Sequence, residues 1–144
     1  MPGGVAVAGV ETGQGTGRVT IDDVNAADLR RVRGLVERAA AQAGIAASRA
    51  TNFVTAVNEI VLNAIMHARG PRSVALQYTP DGLLVEVSDH GPGLPPQVAA
   101  DGARLPLPTS ESGRGLWLAR QFSQRLYIRN TAHGLTVRLY ATRA

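Results

Sequence analysis

Cysteine is absent from this 144-residue sequence, and so is lysine: all 15 basic residues are arginine. The first absence excludes disulfides, thiolate metal ligands and a cysteine nucleophile. The second excludes a Walker A lysine, a Schiff-base lysine and the strand lysine of eukaryotic-type protein kinases. If this chain handles nucleotides, it holds phosphate by other means. Aromatic residues make up only 4%, which leaves little for stacking bases. The formal charge of +4 is spread from Arg18 to Arg143. Only Arg30, Arg31 and Arg33 cluster, with Asp28 and Glu37 nearby. This reads as a mildly basic solvated surface with no direct nucleic-acid partner. No apolar run is long enough to span a bilayer, and residues 1–17 lack the basic start of a signal peptide. We therefore expect a soluble, cytoplasmic protein. The 44% of hydrophobic residues suffices for the core of one domain.

Six glycines without periodicity fill residues 1–17, read as a flexible arm in which a first strand could lie within Val5 to Val10. Residues 18–144 then form a single domain. Val19 to Ile21 suggest a short strand. Asn25 can cap a helix over Ala26 to Ala43, with Asp28 in its first turn and Gly44 as its stop. A second helix spans about Ser48 to Ala68, ended by Gly70-Pro71. Alternating apolar residues on either side of Pro80-Asp81-Gly82 predict a β-hairpin that ends at Asp89. Gly91 to Gly113 holds five prolines and no period, so it reads as a long loop of the functional kind. A helix from about Gly115 to Ser123 follows, then a hairpin of Arg125–Asn130 with Leu135–Thr142. This order predicts an α+β two-layer sandwich, a mainly antiparallel sheet packed on helices.

Three features carry chemistry. On the second helix Glu59, Asn63 and His67 fall on one stripe, about 6 Å apart. Ile60 borders it on one side, Leu62 and Met66 on the other. So narrow an acid–amide–imidazole line suits a ligand site, although a solvated surface stripe would share the spacing. The second feature is Asp89-His90-Gly91-Pro92-Gly93. Val85, Val87 and Asp89 share one face of a strand, so an inward-facing core leaves Asp89 as an inward acceptor. The two glycines after it admit close approach of a base bearing an exocyclic amine; a plain turn is the alternative. The third is Gly113-Arg114-Gly115-Leu116 at a helix opening, where exposed N–H groups suit phosphate and a hinge is the alternative. His90 and His133 lack a third ligand at metal spacing, so no zinc site is expected. Ser88, Ser110 and Ser112 have no histidine–acid partnership that would support a hydrolase.

In this order the three motifs resemble those of the GHKL, or Bergerat-fold, ATPases. Glu59 to His67 is similar to the N-box, Asp89 to Gly93 to the G1 box, and Gly113 to Leu116 to the G2 box; about 94–112 would be the ATP lid. The pattern is most similar to the small bacterial anti-sigma factors with serine/threonine kinase activity. The resemblance implies ATP and Mg²⁺ as cofactors, with Glu59 as general base, Asn63 on the metal and His67 near the phosphate tail. Asp89 would accept from the adenine amine in a pocket shaped by Gly91 and Gly93. Gly113, Gly115 and the amides leading to Leu116 would cradle phosphate, with Arg114 or Arg104 as a cation. It further implies a sigma factor and an anti-sigma-factor antagonist as partners, and a homodimer. One departure stands out: relatives often carry threonine directly after the glycine of the last hairpin, supporting the adenine aspartate, whereas Leu135 follows Gly134 here. Thr136 points to the other face by alternation. The alternatives are a non-catalytic ATP-sensing partner-binding switch and a detached histidine-kinase catalytic domain.

Overall fold

A computed structural model describes residues 5–6, 18–67, 70–90, 111–131 and 134–143. Its elements are β1 (Val5–Ala6), β2 (Arg18–Ile21), a 3-10 turn (Ala26–Asp28), α1 (Leu29–Gln42), α2 (Ala47–His67), β3 (Arg72–Thr79), β4 (Gly82–Asp89), α3 (Glu111–Phe122), β5 (Arg125–Thr131) and β6 (Gly134–Thr142). The strands form one sheet in the order β1-β2-β3-β4-β6-β5, every neighbour antiparallel. The α+β sandwich expected from the sequence is the architecture observed. Of the glycine-rich arm, only Val5 and Ala6 are described; they pair with Ile21 and Thr20.

Register explains the core. Ile21, Val74, Val87, Val137 and Ile128 lie opposite one another across five strands. A second row runs Val19, Leu76, Val85, Leu139 and Leu126. Both rows share one face because side chains alternate, and most of their members are buried. α1 and α2 cover that face. α1 contributes Val32, Val36, Ala39 and Ala40, and α2 contributes Phe53, Ala56, Val57, Ile60, Val61 and Ala64, each set at helical spacing. Burying a side chain such as Phe53, Leu83 or Leu139 stabilises the fold by roughly 1.5–3 kcal/mol apiece.

The boundaries follow local chemistry. Asn25 Oδ1 accepts from the Ala27 amide at 2.9 Å, while its own amide donates to Asp28 Oδ2 at 3.0 Å. This is a capping box, and it opens a 3-10 turn before the α-helix proper. Asp28 is buried, yet it also accepts from Arg31 Nη2 at 2.8 Å, so its charge is matched. Gly44 at φ +80° ends the run as expected. Asn25→Ala is expected to cost about 1 kcal/mol, read as a fall in thermal midpoint of about 3 °C. An unchanged midpoint would mean that packing alone sets the start of α1.

Two expectations differ in detail. Helix α3 begins at Glu111, four residues before the expected start at Gly115. An acidic residue in the first turn is favoured by the positive end of the helix dipole by roughly 0.3–1 kcal/mol, which offsets part of the roughly 0.5–1 kcal/mol that each of the two glycines costs inside a helix. Gly113 and Gly115 therefore lie within the helix rather than ahead of it. The last hairpin extends one residue further on each strand, to Thr131 and Gly134.

Candidate functional site

The first two motifs are linked at one end of the sheet through the α2–β3 connection. Helix α2 ends at His67, and β3 begins at Arg72, whose register partner is the last residue of β4, Asp89. The His90 ring Nδ1 lies 3.0 Å from the Pro71 carbonyl oxygen and ties the exit of β4 to the α2–β3 connection. Asp89 therefore sits beside the residues that lead from α2 into β3. Asn63 and Glu59 lie about 6 and 12 Å back along that helix from His67.

Along α2 the stripe Thr51, Thr55, Glu59, Asn63 changes character. Thr51 and Thr55 are exposed, whereas Glu59 and Asn63 are half-buried. Ile60 on one border is buried, and Met66 on the other is 60% exposed. The acid and the amide thus occupy a rim between core and solvent. His67 is the last residue of α2.

Asp89 is half-buried at the end of a strand whose inward residues Leu83, Val85 and Val87 are buried, as its position in the alternation requires. Its Oδ1 accepts from the Leu135 backbone amide at 3.3 Å. Thr136 does point to the opposite face, where its hydroxyl lies 3.3 Å from that of Ser88. The residue after Gly134 thus supports the carboxylate by its main chain, which leucine has as much as threonine. Sequence reasoning weighed only the side chain and missed this amide. The available signal was the hairpin register, which places Leu135 one step beyond the Ser88–Thr136 pair.

Gly134 makes that approach feasible. Its φ is +153°, and a Cβ built on it would lie 2.1 Å from the Asp89 carbonyl oxygen and 3.2 Å from His90 Cα. Only glycine lets β6 begin so close to the end of β4.

Gly113, Arg114, Gly115 and Leu116 occupy the early part of α3, and α3 packs against α2. The Gly113 amide is among the first-turn N–H groups that have no intrahelical acceptor; that of Gly115 reaches back to the Glu111 carbonyl in a regular helix. Gly91, Gly93, Arg104, His133, Ser110 and the lid expected at about 94–112, up to the start of α3, lie outside the described residues. Among those described, no three His, Cys, Asp or Glu side chains gather as a metal cluster. The donors on α2 are a carboxylate and an amide oxygen. These suit a hard cation such as Mg²⁺, which takes one or two protein ligands and completes its shell with phosphate and water. No described helix is long and apolar enough to cross a membrane.

The fold is thus a helix-covered antiparallel sheet with an acid–amide line on α2 and a supported aspartate at a strand end. The chain belongs to the family of the histidine kinase-like ATPase domain, whose model matches residues 23–141. Membership carries ATP binding of the kinase-like kind to this chain. Two solved structures share the fold. One, the RsbU and RsbW domains of Rv1364c from Mycobacterium tuberculosis, has 21% identity and a TM-score of 0.57 over 87% of this chain and 32% of that one. The other, the histidine kinase domain of the Erythrobacter litoralis EL346 blue-light activated histidine kinase, has 21% identity and a TM-score of 0.52 over 81% of this chain and 60% of that one. This chain thus spans about a third of the first structure and three fifths of the second. A search of curated proteins finds no match.

Proposed function

We propose that this chain is an ATP- and Mg²⁺-dependent serine/threonine protein kinase that acts as an anti-sigma regulatory factor and phosphorylates an anti-sigma-factor antagonist. The observation that carries the reading is the Asp89 carboxylate, held by the Leu135 amide where β4 ends beside the connection from α2, the helix that bears Asn63 and Glu59. In this reading Asp89 accepts from the adenine amine, and Gly91 and Gly93 let the base approach the backbone. Asn63 presents its amide oxygen to Mg²⁺, and His67 lies toward the phosphate tail. The Gly113 amide, with Arg114, Gly115 and Leu116 behind it, faces the phosphates. Glu59 orients the acceptor hydroxyl and takes its proton as the oxygen attacks the γ-phosphorus; the bond to the β-phosphate oxygen breaks and ADP leaves. Mg²⁺, when bound, neutralises charge on the phosphate oxygens. Phosphoryl transfer needs chiefly positioning and charge neutralisation, and neither requires lysine.

The domain would span 18–144 with its lid at about 94–112, work as a homodimer in the cytoplasm, and bind a sigma factor. A structure that contains an RsbW domain shares the fold, as does a histidine kinase domain, so the choice of this branch rests on the motif resemblance.

Calorimetry with ATP and Mg²⁺ tests the site. The natural chain is expected to bind. Asp89→Asn presents an amide N–H₂ or a weaker neutral acceptor to the adenine amine, and a charged hydrogen bond is worth about 1.5–3 kcal/mol. Affinity should therefore fall by roughly ten- to a hundredfold, with little change in thermal midpoint. No binding by the natural chain at high protein concentration would overturn the kinase reading in favour of a partner-binding switch. Phosphoprotein labile to acid would instead indicate a histidine acceptor.

A further inference from the structure

The sheet face turned away from α1 and α2 is polar and rich in arginine. Its register rows run Arg18, Gln77, Leu84, Tyr140, Arg125 and Thr20, Ala75, Glu86, Arg138, Tyr127. A third row ends in Arg129, opposite Thr136. The one carboxylate in these rows is already engaged: Glu86 is bridged by Arg138 at 2.6 Å and by Arg18 at 3.3 Å. Toward β5 the cations have no such match. Arg125 lies over the Tyr140 ring at 4.7 Å, Arg129 is exposed, and Arg120 projects from the last turn of α3. None of the three pairs with a carboxylate among the described residues. With Tyr127, Arg138 and Tyr140, Arg120 and Arg125 line a cleft of about 490 Å³.

This cleft adjoins the outer edge of β5. β5 pairs with β6 on one side, and no described strand pairs with the other. Alternate backbone N–H and C=O groups of Arg125–Thr131 therefore point outward at strand spacing.

We propose that the β5 edge and its arginine–tyrosine face dock an acidic, extended segment of a partner protein, which adds to the sheet as a further strand. The argument is charge complementarity combined with backbone geometry. Three guanidinium groups with no carboxylate partner among the described residues favour an anionic partner. An edge of outward peptide groups is satisfied by another polypeptide, with side chains of alternate residues reaching the face. Single-stranded nucleic acid would supply the charge but not the peptide groups. Its bases also stack on a series of aromatic rings, and of the two tyrosines here only Tyr127 is exposed, Tyr140 being half-buried beneath Arg125. The docking surface goes beyond the ATP-site reading and does not depend on it.

The test uses the full chain without nucleotide and a fluorescein-labelled decapeptide that alternates glutamate with threonine. Fluorescence anisotropy at low salt is expected to show saturable binding that weakens as salt rises. Amide NMR shifts should concentrate on 125–131. The double variant Arg125→Glu/Arg129→Glu should bind about tenfold more weakly. Arg120→Glu, which leaves the strand untouched, should lose severalfold and guards against a folding defect in the double variant. The same peptide N-methylated at alternate residues should lose binding, because it cannot pair with the edge. Absence of binding by the natural chain, unchanged affinity in both variants, or shifts confined to residues away from β5 would overturn the proposal. So would decathymidylate binding as tightly as the peptide, which would make the face a nucleic-acid surface.

Discussion

Glu59→Gln is expected to leave ATP binding within about twofold and to slow phosphoryl transfer by roughly a hundred- to ten-thousandfold, the range for removing a general base. Glutamine keeps the size and the hydrogen-bonding reach of the side chain but cannot take a proton at neutral pH. Its position on a half-buried rim of α2, beside a buried Ile60, means that the exchange disturbs little packing. Single-turnover formation of ADP, with water in place of the acceptor hydroxyl, gives a readout that needs no identified protein substrate. Calorimetry on the same variant separates binding from transfer. A variant that keeps more than a tenth of the natural rate would remove Glu59 from the role of base. One that loses ATP binding as well would make it a ligand-holding residue.

Gly134→Ala should be the most damaging single-methyl change near the site. The added Cβ would stand 2.1 Å from the Asp89 carbonyl oxygen, a backbone atom that cannot swing aside. The residue would also have to keep φ near +153°. Positive-φ strain and overpacking each cost roughly 1–3 kcal/mol. Together they predict a loss of about 2–5 kcal/mol, or a fall in thermal midpoint of roughly 10 °C. Relief comes only by moving the start of β6 away from β4, which pulls the Leu135 amide off Asp89. ATP affinity should therefore fall together with stability, unlike Asp89→Asn, which should lower affinity alone. A midpoint within 2 °C of the natural chain would show that the hairpin rearranges at no cost and that the close approach is dispensable.

Much of this was legible in the sequence because it rests on periodicity and spacing, which are local. The alternation of Leu83, Val85 and Val87 fixed the inward face of β4 and the place of Asp89 at its end. The four-residue interval of Glu59, Asn63 and His67 set them on one stripe of a helix whatever packs around it. Asn25 and Gly44 bounded α1 through caps that involve only neighbours. The start of α3 was less legible, because glycine signals a helix break by propensity while an acidic residue in the first turn offsets it by position. What only the tertiary structure decided was which backbone groups meet across long separations in the chain. The Leu135 amide reaches Asp89 because β6 inserts between β4 and β5, a strand order that no local pattern encodes. The same insertion leaves β5 as the edge and gathers Arg120, Arg125 and Arg138 around one cleft, although along the chain the arginines look evenly dispersed. Side-chain identity is written in the sequence, but hydrogen bonding by main-chain amides is common to every residue except proline, so its partners are chosen by sheet order and register alone.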